Sequence, residues 1–567
     1  MNRPPSDFLA ASQTVRPPLN AAAISGEYIC AASFLGIAGL VLKGGLDALW
    51  YPVGFTAGYV ALLLFVAAPL RRSGAYSLPD FAEARLGSVL LRRVSTAFVL
   101  IIGWLYLVPQ LQGAGLTVAV VAHWPAWVGA AVVMVLVTFN IFTGWMHSIT
   151  FVQAFQYWIK LTALGVPVFV LLIYLAGEEP AFQRSLGASA PPFFSQTTTV
   201  QVDTDVVLQV PAPMLLDGAG TVDGRFQVPG PVYWGQGQHR VGGGTSLTFQ
   251  AGTPTPVIEG APINNDDWLR PLGSGASVLS IASLIVALLL GTMGLPHVLG
   301  RYYPNPDGRA ARTTTLVVLG LLGVFYLFPM LSGVLARLYV PKLLVTGQTD
   351  AAVLLLPGGA LSGWPADLLG GVIAAGAFAA FMSAASGLVV SVAGVLSTDV
   401  LPGRLRDYRP ATLVAWSIPL AFALSVSKLD LAQSVGLAFA VAASSFCPLL
   451  MLGIWWRGLT DVGAAAGMLT GGGLAVISVL PAAFGVLSPG WEAVLAQPAW
   501  FTVPLAFLIM VVVSRYTQDR VPGDVSRILL RMHAPDRLGL SKDRDTARYG
   551  IAGAPPRQRT GGKHRRP

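Results

Sequence analysis

Uninterrupted apolar runs recur along this chain, and each is long enough, at about 20 residues, to cross a bilayer as a helix. Twelve are read: residues 24–42, 50–69, 94–121, 126–144, 148–175, 277–298, 313–338, 368–397, 410–427, 431–456, 462–485 and 498–514. The chain of 567 residues is 54% hydrophobic and 11% charged, against about 25% charged in soluble domains. These features specify an all-α polytopic membrane protein.

The net charge of +9 follows from where the arginines and lysines lie. With the N-terminus on the cytoplasmic side, the inner segments receive 27 of the 36 Lys and Arg residues, the outer segments eight, and Lys160 falls within a span. This asymmetry orients membrane proteins. It predicts that both termini are cytoplasmic and accounts for the basic charge without nucleic acid; the expected location is the inner membrane of a bacterium. The opening MNRPPSDFLAASQTVRPPLN lacks the apolar centre of a cleavable signal. Cys30 and Cys447 both fall in apolar runs and are read as small packing residues.

Between the fifth and sixth runs lies a segment, residues 176–275, with short Thr/Val/Gln alternations separated by Gly and Pro. It is either a small β-containing cap or a loosely ordered loop. The expected organisation is a short N-terminal segment (1–20), spans 1–5 (21–175), this outer insertion (176–275), spans 6–10 (276–456), two further spans (457–514) and a basic tail (515–567).

Two spans carry helix-weakening residues near their middles. Span 1 has AASFLG around Gly36, and span 6 ends in LGTMGLPHVLGRYY, where Gly291, Gly294 and Pro296 crowd together. They lie five spans apart and run in opposite directions, as inverted five-helix repeats require. Backbone groups freed at that depth are tolerated where they face a cavity; alternatively, the glycines serve close helix packing. In span 8, Ser383 and Ser386 share a face among small residues, placing hydroxyls where a small hard cation or a neighbouring helix can use them. Thr292 either lines a pocket or bonds back to its own helix. Tyr106 and Gln110 on span 3 either face a solute or join helices. Glu27 and His297 are candidate gate residues at the inner ends of spans 1 and 6, with Glu27 positioned to meet an arginine of the inner loops. Lys160 is read as snorkelling inward, and Asp399 as a partner for local arginines.

The stretches GEYICAASFLGIAG, RRSGAYSLPDFAEARLG, VPQLQGAG, GTMGLPHVLGRYYPNPDGRAAR and SVGLAFAVAASSFCPLLMLGIWW resemble the sodium:solute symporter family, most of all its cation/acetate branch. The resemblance implies a LeuT-type core of five plus five inverted helices. It implies Na+ as coupling ion between spans 1 and 8, held by main-chain oxygens of Ala31, Phe34 and Ala380 and the Ser383 hydroxyl, with Ser386 nearby. Ala384 stands where the family has a second hydroxyl, and Ser33 where several members have aspartate, so a proton is an alternative ion. Many relatives also have a span preceding SDFLAASQTV.

A small carboxylate such as acetate is expected between the breaks, lined by Gly36, Tyr106, Gln110, Gly291, Thr292 and Gly294. A half-helix N-terminus there favours an anion without an arginine. The expectation is thus a secondary carrier working by alternating access, with the bundle of spans 1, 2, 6 and 7 rocking against the rest. It is not an enzyme, has no cofactor beyond the ion, and has the solute, Na+ or H+ and the bilayer as partners. The alternatives are a symporter of an amino acid or sugar, a channel, and a solute sensor that transports nothing.

Overall fold

The computed structural model describes residues 16–143, 146–177, 191–272, 278–401, 408–425, 430–484, 495 and 497–538. The segment 1–15, the tail beyond 538, and Arg404 and Arg406 of the expected inner loops lie outside the described residues. Ten helices are long and apolar enough to cross a membrane among the described residues. The difference from twelve has two sources. Spans 1 and 2 join into one apolar run, Ala32–Phe65. Span 9 (Tyr408–Ser425) is helical, but its Tyr, Arg, Ser and Pro residues dilute its apolarity.

Span 1 begins earlier than expected, at Pro17, with proline in the first turn where its missing N–H costs nothing. This helix ends at Tyr28. Ile29 is extended (φ −72°, ψ 94°), and the chain re-enters a helix through a π-helical turn, Ala32–Gly36, continuing to Gly44. The break is therefore at Ile29–Cys30, ahead of Gly36. A Cβ on Gly36 would lie 2.9 Å from the Ala432 backbone nitrogen, so this glycine serves close packing on span 10 (Leu431–Trp455).

Span 6 runs from Val278 to Thr292, turns at Met293–Gly294, extends at Leu295 (φ −75°, ψ 116°), and resumes at Pro296–Gly300. Its break falls where Gly291, Gly294 and Pro296 crowd. The two glycines also press on span 10. A Cβ at either would stand 2.6 Å from a carbonyl oxygen, that of Phe439 or Ala442.

Around these two broken helices pack span 3 (Val89–Ala122), span 5 (Met146–Ala176), span 7 (Gly308–Tyr339) and span 8 (Trp364–Val395). Span 8 is buried almost throughout, as its Ala/Gly/Ser composition allows neighbouring backbones to approach it closely. The whole is the LeuT-type core, with broken first and sixth helices in its two repeats.

The described part of the insertion, residues 191–272, is ordered rather than loose. Seven strands form an antiparallel sheet in the order β1-β6-β3-β5-β2-β7, with β4 added to β3. They are β1 (Thr198–Val202), β2 (Val206–Val210), β3 (Met214–Val222), β4 (Arg225–Trp234), β5 (Gly237–Val241), β6 (Thr245–Phe249) and β7 (Val257–Ile258). Alternation sets the faces: Val200 and Val202 point inward between outward Thr and Gln. β3 and β4 join through Asp223-Gly224, both at positive φ (50° and 74°), the two-residue turn that Asp-Gly favours.

The cap is fastened to the helices at the end remote from the arginine cluster. Trp268 Nε1 donates to Val41 O at 2.8 Å, and the Arg337 guanidinium lies 4.8 Å over the Trp268 ring while donating to Asn265 Oδ1.

The opposite, basic end is closed by ion pairs. Arg92 contacts Asp399 at 2.8 Å and Glu83 at 2.5 Å, which identifies the arginine partner of Asp399. A short helix after the last span, Val525–His533, docks here, with Arg531 donating to Ser73 O at 3.0 Å. Just beyond it, Asp536 takes a bidentate bond from Arg72 (2.8 and 3.0 Å). That guanidinium bond holds the Asp536 carboxyl below the usual carboxylate range, against a smaller opposing effect of burial. A depressed carboxyl contributes stability above its unfolded value, about 3.9, and loses it as pH falls through the lower folded value. Acidification below about pH 4 is therefore expected to release the segment around Asp536, and Asp536→Asn to release it at neutral pH. Limited proteolysis across a pH series reads both.

Candidate functional site

Breaking span 1 at Ile29–Cys30 leaves carbonyls at the C-terminal end of its first half without the i+4 amides that a continuous helix supplies. Those of Gly26 and Ile29 face span 5. Gly26 allows the approach: a Cβ there would stand 2.3 Å from Gln153 O. From span 5, Lys160 reaches in. Its Nζ donates to Gly26 O, to Ile29 O at 2.9 Å and to Ser383 Oγ of span 8. The Ser383 hydroxyl has the Gly26 carbonyl at 2.7 Å and that of Ala380 at 3.1 Å. Lys160 is fully buried, so the expected snorkelling does not occur. Three acceptors use its three N–H donors, and a long excursion to the surface would strand them.

This is the position expected for a cation between spans 1 and 8, and Ala380 and Ser383 are there. The span 1 oxygens are those of Gly26 and Ile29, five residues before Ala31 and Phe34. Ala31 instead donates its N–H to Gln110 Oε1 at 2.9 Å, and the Phe34 ring lies against Gly376. Ser386 is buried, and among the described residues it is not one of the Lys160 acceptors. Sodium fits this donor set poorly. The set's carbonyl and hydroxyl oxygens are of the kind a small hard cation takes, but the Lys160 amine already occupies them. Two unit positive charges about 4 Å apart repel by about 4 kcal/mol at an effective dielectric constant of about 20.

One turn away, Glu27 meets Arg301, which follows the second half of span 6; Nε to Oε2 is 2.7 Å and both side chains are buried. Arg301 also donates to Thr150 Oγ1 at 3.2 Å and to Gln153 Oε1. Gly387 of span 8 makes room, since a Cβ there would overlap the Glu27 carboxylate. The expected pairing of Glu27 with an arginine of the basic end is thus present, through Arg301. Beside it a cavity of about 50 Å3 is lined by Glu27, Tyr76, His297, Arg301, Gly387 and Val390.

Aromatic rings also surround the breaks. Tyr28 packs edge-on against Tyr59 (4.8 Å between centroids), Phe55 lies 5.1 Å from Phe439, and Tyr106 lies 5.9 Å from Phe439 and 5.0 Å from His297. Polar atoms punctuate the rings. Thr292 bonds back to Leu288 O at 2.8 Å and meets Tyr28 OH at 3.2 Å. Tyr106 OH donates to Cys30 Sγ at 3.5 Å, Gln110 Nε2 donates to Tyr106 O at 3.2 Å, and Ser33 meets Tyr326 OH at 3.0 Å. His297 is buried, and among the described residues neither ring nitrogen has a hydrogen-bond partner.

Of the residues expected to touch solute, Tyr106, Gln110 and Thr292 come together at the breaks. Gly36, Gly291 and Gly294 instead serve contacts with span 10. Lys160, Tyr28 and Arg301 were not among the expected site residues. For Lys160 a signal was available: Thr150, Gln153, Tyr157 and Lys160 make a polar stripe at helical spacing along an apolar span.

A buried ion pair makes removal of one partner costly. Arg301→Gln is expected to destabilise the protein by about 3–5 kcal/mol by leaving the Glu27 carboxylate alone, and Glu27→Gln with Arg301→Gln to recover part of that. A double-mutant cycle on detergent-solubilised protein, read by denaturation, gives the coupling.

A family model described as "Sodium:solute symporter family" matches residues 8–233 and 238–471. A curated protein named as an uncharacterized symporter, YwcA, from Bacillus subtilis (strain 168) is 28% identical, over 89% of this chain and 87% of its own. One named monocarboxylic acid transporter, from Corynebacterium glutamicum, is 27% identical over 89% and 85%. Among solved structures, a Na+-coupled sialic acid symporter in its substrate-bound outward-open state superposes with TM-score 0.57 at 14% identity, covering 90% of this chain and 92% of that one. A closed nucleobase-cation-symport-1 family transporter superposes with TM-score 0.52 at 13% identity, covering 94% and 99%.

Proposed function

This chain belongs to the sodium:solute symporter family, and from that membership and the site's geometry we propose that it is a secondary active carrier coupling a cation gradient to uptake of a small monocarboxylate. The observation that carries this reading is the pair of facing breaks, Ile29–Cys30 and Met293–Leu295, with neutral polar side chains between them.

The second half of span 1 presents an N-terminus at Ala31, where amides and the helix dipole favour negative charge. Gln110 Oε1 holds the Ala31 N–H at 2.9 Å. A carboxylate oxygen is a stronger acceptor than an amide oxygen, so it displaces Gln110 Oε1 and leaves Gln110 free to donate to the same anion. Tyr28, Thr292 and Tyr106 supply further hydroxyls. The surrounding rings are in mutual contact, so a large solute such as a sugar has to part them further than a chain of a few carbons does. The name of the Corynebacterium relative supports the same solute class.

The carrier works by alternating access. Glu27 and Arg301 bar the route to the basic end, and His297, between Tyr106 and the cavity lined by that pair, is the side chain that moves when the barrier opens. The basic end faces the cytoplasm by the distribution of arginines. Cation and acid raise each other's affinity by the same factor, because coupling between binding sites is reciprocal.

Purified protein in liposomes tests this. Labelled acetate, propionate and pyruvate are offered with and without an imposed cation or proton gradient, and accumulation above equilibrium is expected for at least one. Binding without uptake identifies a sensor, and flux without accumulation a channel; either result overturns the carrier reading. Gln110→Ala is expected to raise KM about tenfold, the loss of roughly one hydrogen bond to a charged group.

A further inference from the structure

The oxygens between spans 1, 5 and 8 already hold an amine, and it is covalently attached. Lys160 is fully buried, with its Nζ on the carbonyls of Gly26 and Ile29 and on the Ser383 hydroxyl. The two carbonyls lie at the negative end of the first half of span 1, where the helix dipole favours positive charge. The charged neighbours are few. Glu27, on the same half-helix, is bonded to Arg301, and Cys30 at the break accepts from Tyr106 OH. Span 8 contributes Ser383, with alanine at 384 and no acidic residue from Gly376 to Thr398. A free sodium ion entering this set would have to displace a tethered ammonium or sit against it, with one carboxylate, Glu27, already shared with Arg301.

We infer that Lys160 is a built-in substitute for the sodium ion at this position, so that this family member needs no sodium there. Mechanically the ammonium replaces what an ion would do: it joins the broken helix of the moving bundle to spans 5 and 8 of the scaffold. The inference rests on the carrier reading given above, since it changes only which ion the carrier requires.

The test replaces sodium with choline at constant ionic strength and pH. Two readouts are used: initial uptake of labelled monocarboxylate in proteoliposomes, and the melting temperature of the purified full chain. For the wild type, uptake is expected to change less than about twofold, and about 200 mM sodium chloride to leave the melting temperature where choline chloride leaves it, because a ligand that does not bind gives no stabilisation. In Lys160→Ala the vacated oxygens are exposed to free ions. Its uptake in choline is expected to fall about tenfold or more, and sodium to raise its melting temperature.

A tenfold loss of wild-type uptake without sodium, or a sodium-dependent rise in wild-type melting temperature, overturns the inference. So does a Lys160→Ala protein that transports like wild type in choline. If Lys160→Ala does not fold, the wild-type sodium series decides alone. If no monocarboxylate is taken up under any gradient, the carrier reading fails, while the melting series still reports on Lys160.

Discussion

A helix that stops inside a membrane exposes carbonyls that lipid cannot satisfy. The rest of this site is arranged around that constraint. When span 1 ends at Tyr28, the oxygens of Gly26 and Ile29 need donors, and Lys160 and Ser383 provide them. The break, the buried lysine and the serine-bearing helix therefore form one unit. Each would be costly alone: an unpaired buried ammonium, two orphan carbonyls, a hydroxyl without a partner. Together they close. The same unit ties a helix of the first repeat to span 8 of the second, across more than 200 residues of sequence.

Charge inside the bundle is held in two adjoining layers. Lys160 neutralises the end of a half-helix, while Arg301 neutralises Glu27, and Gln153 links them by bonding both Arg301 and the Ser383 carbonyl. Span 5 thus carries both layers on one stripe, Thr150, Gln153 and Lys160, with glycines opposite. Gly26 lets the stripe approach, and Gly387 leaves room for the carboxylate. Movement of span 1 relative to span 5 would disturb both layers at once.

Much of this was readable from the residues. Apolar length located the spans, and Gly291, Gly294 and Pro296 marked the span 6 break, because glycine and proline weaken a helix locally. Alternating Thr and Val between Gly and Pro allowed a β-containing cap and a loose loop alike, and the strand order depends on pairings that period-two patterning does not encode. The span 1 break was placed late. AASFLG looks weaker than SGEYIC by composition, yet Gly36 is there to admit span 10, and the helix stops at Tyr28 because its carbonyls find better donors across the bundle. That preference comes from tertiary contacts made by residues far along the chain.

Lys160 shows the same limit most directly. An isolated lysine in an apolar run is expected to stretch toward water, since its stem is long and an ammonium is strongly hydrated. What reverses this is the density of acceptors that the fold brings to one point. A carbonyl pair at a helix end, with the dipole adding negative potential, offers an ammonium nearly what water would, and at a fixed position. Desolvation remains a cost, so the arrangement persists only while all three acceptors stay in place. A helix rotation that removes Gly26 and Ile29 leaves Lys160 with Ser383 alone. The buried cation thereby favours the conformation in which the broken helix is seated, and its release is part of what any opening of the bundle must overcome.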